Sequence, residues 1–456
     1  MKPGIATVGL FAAGTLLAGC DRESPTFTAD DGDTESETGS DTDTGQDTDT
    51  AEEDIPPDLP AACVVDSTSV PLSGGGDGRW PTLARGEGEM LLAWAYDGQQ
   101  GSADWNIQVA THEAGIPPLI GQPDEPVAWS ILSQKPAMAA RGDLFGLVWL
   151  DSRWDPDCQA DDQQACLREP AFIELTADGS PAGDADPVRL TAGESIAVRP
   201  VIAATDSGWI AVWSQDQTGN AATIEAVAID GTGQPGAVHV VSGVDAAAKS
   251  YRPALAAAGE QALVVWLDAG YQSISAIRLG PDGAPLGGIQ PVVEGNSVVH
   301  PRLAAGDGEF LLTYGRPQGA DIEIRARRLD TAGGPLGGEQ RVTWTSGDTI
   351  FSHPAWSGSE WAVAWLSDRA NGADECAVET CQAQVFLTAL DADGAPRAAE
   401  VQLSADANPA SEIELSWSGT GWLALFELRR NLRQQVSWSH AFCERAGEGT
   451  APGRDR

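Results

Sequence analysis

Histidines and recognised catalytic motifs are sparse in this sequence, and the positions of its reactive side chains say more than their number. Five histidines occur among 456 residues: His112, His239, His300, His353 and His440. None stands in an HExxH, and the chain holds no GxSxG, P-loop or CxxC. Zinc-protease, serine-hydrolase, NTPase and thiol-redox chemistry therefore lack their usual residue sets. One constellation differs. A short pattern ending in an aromatic recurs along the chain, and the residue ahead of its proline is Trp80, Lys135, Arg199, Arg252, His300 and His353 in turn. Cations and an aromatic at one repeated position oppose the formal charge of −40. If the repeat is rotational, identical phase puts the six side chains in one ring. That ring either receives an anionic or hydroxyl-rich ligand, with Trp154 and Tyr271 alongside to stack on it, or pairs with loop carboxylates (Asp97, Asp151, Asp216, Asp268, Asp368). In the first case affinity is expected to rise below about pH 6.5, as the histidines gain charge.

Seven cysteines is an odd count. Lys2, the apolar run GIATVGLFAAGTLLA and then LAGC, ending at Cys20, account for the extra one. This stretch resembles the lipobox of bacterial lipoproteins, which implies cleavage before Cys20 and acyl chains such as palmitate on its thiol and amine. The run is too short to favour a membrane-spanning helix. Residues 21–60 carry fifteen acidic residues against one arginine and cannot bury enough surface to order themselves. The expected division is 1–19 signal peptide, 20–60 lipidated cysteine and acidic tether, 61–443 folded domain and 444–456 tail. Asp21 resembles the inner-membrane retention signal of enteric bacteria, so the outer membrane or cell surface, although favoured, is not the sole destination.

The elements that would position the ring follow from the repeat. Its copies are WPTLARGEGEMLLAW, KPAMAARGDLFGLVW, RPVIAATDSGWIAVW, RPALAAAGEQALVVW, HPRLAAGDGEFLLTY, HPAWSGSEWAVAW and ELSWSGTGWLALF, which lie 48–64 residues apart. The interval from slot to aromatic reads as thirteen in five copies (from Pro81, Pro136, Pro200, Pro253 and Pro301). It reads as eleven in the last two, from Pro354 and Leu415. Each copy alternates like strands, with Gly/Asp turns between, and offers four short strands. Repeats of this length with four strands each resemble β-propeller blades. The fold class expected is all-β: a seven-bladed propeller of four-stranded antiparallel blades. Trp94, Trp149, Trp213, Trp266, Tyr314, Trp365 and Phe426 would fill the wedges between blades.

The last copy lacks a fourth strand, and CVVDSTSVPLSGG ahead of the first copy has that phase. The N-terminal strand should close the last blade, bringing Cys63 to Cys443 for a disulfide. Cys158 with Cys166, and Cys376 with Cys381, are expected to form two local disulfides in an exported chain, a zinc site being the alternative for either pair. The insert bearing Asp155, Asp157, Asp161 and Asp162 is a possible calcium loop.

The charge excludes nucleic-acid binding, and no cofactor is called for. YRPAL at 251–255 resembles the Arg-containing motif of sialidases, but no S-x-D-x-G-x-T-W box follows. The whole pattern is similar to tethered propeller lipoproteins of myxobacteria-like bacteria, which implies location more than activity. The expectation is a monomeric, non-enzymatic envelope module that binds protein or glycan. The alternatives are a hydrolase or lyase of acidic glycans and a scaffold in outer-membrane assembly.

Overall fold

The computed structural model describes residues 58–60, 63–72, 76–97, 105–113, 128–129, 132–158, 166–183, 186–191, 196–217, 221–242, 250–268, 272–295, 297–345, 347–369, 383–404, 408–430 and 433–444. Cys20, Asp161, Asp162, Tyr271, Cys376 and Cys381 lie outside them, as does the side chain of Asp216. Among the described residues, twenty-eight strands form seven four-stranded antiparallel sheets, and six of these are built from consecutive strands. The seventh combines Ala410–Trp417, Trp422–Arg430 and Arg433–Cys443 with the N-terminal strand Cys63–Pro71 on its outside. The inner strands are Asp77–Arg85, Ser133–Arg141, Ala197–Ala204, Tyr251–Ala258, Val299–Ala305, Thr349–Trp356 and Ala410–Trp417. Each touches the next, and the last touches the first, which closes a ring of seven blades. The chain is a seven-bladed β-propeller.

The core is distributed. Seven clusters of buried apolar residues each lie between two adjacent blades. On the inner strand of blade 4, Ala254 and Ala256 belong to the interface with blade 5, while Leu255 and Ala257 belong to that with blade 3. Period-two alternation therefore serves two neighbours, and small residues fit because the wedge is narrow at its inner end. The seven aromatics lie on the second strands, at most 1 % exposed, each against the preceding blade. Burying one such side chain contributes about 1.5–3 kcal/mol.

Cys63 and Cys443 are cross-strand partners and form a disulfide across the closing pair of strands. A second disulfide joins Cys158 to Cys166. Among the described residues, Asp155 with these two cysteines has metal-like spacing. Both sulfurs are consumed in the disulfide, however, and the Asp155 oxygens accept the Asp157 and Leu167 amides (3.1 and 2.7 Å).

Candidate functional site

Each inner strand begins with a bulge. The ladder skips a residue between Arg79 and Thr82, Gln134 and Ala137, Val198 and Val201, Tyr251 and Ala254, Val299 and Arg302, Ile350 and His353, and Ser411 and Ile413. The bulged residue is left-handed every time: Trp80, Lys135, Arg199, Arg252, His300, Phe351 and Glu412, with φ between 44° and 53°. Such a φ costs a non-glycine residue roughly 1–2 kcal/mol, and bulges re-aim side chains. The prolines sit just after the bulge because no ladder donor is needed there.

The sixth and seventh slots differ from the sequence expectation. His353 and Pro354 pair with Ala364 and Val363, so they lie two residues further along than the matching dipeptides elsewhere. The true slots are Phe351–Ser352 and Glu412–Ile413, each thirteen residues before its aromatic like the other five. Leu415 likewise gives way to Ile413. A second His-Pro dipeptide, so like that of blade 5, drew the alignment out of register.

The ring converges. Lys135 Nζ lies 5.9 Å over the Trp80 ring. Arg252 Nη1 donates to His300 Nδ1 at 2.9 Å, and the His300 ring packs on Phe351 with centroids 3.9 Å apart. Because Nδ1 accepts from a guanidinium, the imidazole proton belongs on Nε2. Burial, then Arg252, Arg199 and Arg302, hold the His300 pKa well below its ordinary value. His300 is thus a neutral donor at physiological pH, and it cannot supply the added charge expected from sequence.

Two residues inward, the matching positions are Thr82, Ala137, Val201, Ala254, Arg302, His353 and Glu414. His353, placed here rather than in the ring, has Nε2 2.9 Å from Glu414 Oε2, while its Nδ1 accepts the Leu415 amide at 3.3 Å. Burial acts to raise Glu414, but His353 and Arg302 outweigh it and leave the carboxyl below its usual range. Its side chain keeps 26 % of its surface open.

At the seam of blades 7 and 1, Glu427 is 4 % exposed. Its Oε1 accepts the Trp80 amide at 2.6 Å and its Oε2 the Ser411 hydroxyl at 2.8 Å. Burial, then the charge of Glu412, push the Glu427 pKa up to about 7 against the opposing Trp80 amide, Ser411 and Arg79. Blades 3 to 5 therefore present Arg199, Arg252, Arg302 and a neutral His300, and blade 7 presents Glu412, Glu414 and Glu427. Sequence reading missed Phe351, Glu412, Glu414, Glu427 and Arg302. Counting fourteen back from Trp365 and Phe426, the interval of the other five blades, would have exposed the first two.

Two of the loop carboxylates serve tryptophans. Asp151 and Asp268 accept the indole N–H of Trp149 and Trp266 (2.6 and 3.0 Å), as Gln215 does for Trp213 (2.9 Å). Asp151 also pairs with Arg153, and Asp268 takes Ser273 and Ser275 hydroxyls. Trp154 is half-buried, with the guanidiniums of Arg153 and Arg189 at 5.5 and 5.8 Å from its ring.

Elsewhere, Ser418 Oγ lies 3.2 Å from His440 Nε2, whose Nδ1 is 2.9 Å from Asp66. The order matches a hydrolytic triad. Ser418 is only 1 % exposed, however, and its hydroxyl donates to the Gly421 carbonyl within its turn. Ser357 makes the matching bond to Glu360 in blade 6, so this serine is a turn residue rather than a nucleophile.

No family model and no curated protein matches the chain. Among solved structures, it is similar to Trypanosoma rangeli sialidase in complex with 2,3-difluorosialic acid, at 10 % identity and a TM-score of 0.44, covering 84 % of this chain and 59 % of that one. A subtype N10 neuraminidase-like protein of A/little yellow-shouldered bat/Guatemala is similar at 8 % identity and TM-score 0.42, over 84 % and 99 % of the two chains. GH43 endo-arabinanase from Bacillus licheniformis is similar at 15 % identity and TM-score 0.33, over 57 % and 95 %. The chain spans about three fifths of the sialidase's length. At these identities the likeness shows the fold alone. The expectation of a non-enzyme is corrected here, since the solved structures that match are of sialidases and a neuraminidase-like protein.

Proposed function

We propose that the chain is a glycan-cleaving enzyme, hydrolase or lyase, that acts on acidic glycans at the propeller mouth and is held at a bacterial cell envelope by lipid on Cys20. The observation that carries this reading is the polarity of the mouth. Arg199, Arg252 and Arg302 surround a neutral His300 on one side, and Glu412, Glu414 and Glu427 stand on blade 7. Guanidiniums recognise carboxylate or sulfate groups through charge-assisted hydrogen bonds, while carboxyl groups of unequal pKa are the usual acids and bases of glycoside cleavage. The LAGC motif and the acidic stretch after it support the tether.

The test is a panel of uronate-bearing, sulfated and neutral polysaccharides incubated with the full chain and assayed for new chain ends. Cleavage confined to the acidic members is expected. No cleavage of any member, or equal cleavage of neutral ones, would overturn the proposal.

A further inference from the structure

We infer that the mouth takes a zwitterionic glycan, one that carries free amino groups beside its acidic ones, with Glu412 receiving the ammonium between Trp80 and Phe351. The inference rests on the mouth being a glycan site, and it narrows the substrate class of that site.

Glu412 is the one acid among the seven bulged residues. The inner strands touch in order around the ring, so blade 7 has blade 6 on one side and blade 1 on the other. The residues next to Glu412 in the ring are therefore Phe351 and Trp80, and all three are half-buried. Side chains in adjacent slots reach one another elsewhere in the ring: Lys135 lies over Trp80, and His300 meets both Arg252 and Phe351. At the seam of blades 7 and 1, Glu427 accepts the Trp80 amide and the hydroxyl of Ser411, the residue before Glu412. One carboxyl thus holds the backbones of the two slots side by side. Among the described residues, none donates a hydrogen bond to Glu412. Glu414 is already engaged, by His353 at 2.9 Å.

An acid flanked by two aromatic rings suits an ammonium group. Its oxygens accept charge-assisted N–H bonds, and the ring faces attract the same cation through their quadrupoles. An N-acetylated amine has lost that charge, and a second anionic group would be repelled. In a ring of seven, the blades opposite blade 7 are 3 and 4, which present Arg199 and Arg252. A ligand across the mouth thus meets guanidiniums on one side and an acid between aromatics on the other, and complementary charge fixes its direction. A chain of alternating uronate and unsubstituted hexosamine carries the two charges on neighbouring sugars and fits both sides at once.

The experiment uses two matched probes: an alternating uronate–N-acetylhexosamine oligosaccharide, and the same oligosaccharide after chemical removal of its acetyl groups. Calorimetry at about pH 6, where a free amine is protonated, gives the affinity of each for the full chain and for Glu412→Gln. New chain ends are scored separately with the wild type. The wild type should bind the free-amine form about 10–100-fold more tightly, the worth of one charge-assisted contact. In Glu412→Gln that ratio should fall to about one or below. A residue that merely balances charge within the ring would change both affinities alike and leave the ratio where it was. The wild-type ratio needs no variant, so a Glu412→Gln chain that fails to fold does not spoil the test. Equal wild-type affinities, tighter binding of the acetylated form, or a preference that survives in Glu412→Gln would each overturn the amine site while leaving the glycan-cleaving reading intact. A wild type that neither binds nor cleaves either form overturns both.

Discussion

Glu427 shows how one buried carboxyl shapes a site and links it to stability. Its folded pKa, raised to about 7, stands above the value near 4.3 of an unfolded glutamate. Between those values the native state holds the extra proton, so stability is present at acidic pH and declines as pH rises toward 7. Glu427→Gln should therefore raise the melting temperature at about pH 8 and change it little at about pH 5; an equal shift at both would show that Glu427 ionises normally. His300 has the opposite sign. Its pKa is lowered, so the neutral ring contributes stability that is lost as pH falls below its unfolded value near 6.5. Anion affinity should accordingly stay level as pH falls from about 7.5 to 6, and weaken with salt because it is Coulombic. A titration in which affinity climbs steeply below pH 6.5 would mean that His300 charges after all.

At the scale of elements, the bulge that opens each inner strand is the device from which the mouth is built. Glycine adopts positive φ without penalty, so Lys135→Gly should be about 1 kcal/mol less destabilising than Lys135→Ala in thermal or urea unfolding. Equal costs would mean that the slot is unstrained. Much of this layer was legible beforehand. Prolines and aromatics thirteen residues apart mark the bulge and the inter-blade wedge, and both recur because every blade solves the same packing problem. The register of blades 6 and 7 was not legible from the prolines, since Ser352 and Ile413 occupy the slot that proline holds elsewhere. Glu427 was hidden for another reason. Nothing local to LALFELRR distinguishes it, and its environment comes from Trp80, 347 residues away in sequence.

Across the whole molecule, stability is spread over seven equivalent interfaces, and closure depends on the strand Cys63–Pro71 and its disulfide to Cys443. The loop between them is 380 residues long, for which chain entropy sets an upper limit of roughly 5–6 kcal/mol. Cys63→Ser should lower the melting temperature markedly, and deleting residues 61–74 should also expose a sheet edge and promote aggregation. A truncated chain that melts like the intact one would mean that closure does not need this strand. The same ring brings arginines from blades 3 to 5 into one mouth with glutamates of blade 7, across more than 200 residues of sequence. The claim that this mouth cleaves acidic glycans is tested most directly by kcat/KM for an acidic polysaccharide, measured for the full chain and for the double variant Arg199→Ala/Arg252→Ala at matched melting temperature. The account predicts a loss on the order of 10²-fold or more, as two charge-assisted contacts of about 1.5–3 kcal/mol each disappear. Cleavage at the wild-type rate by the double variant would contradict it.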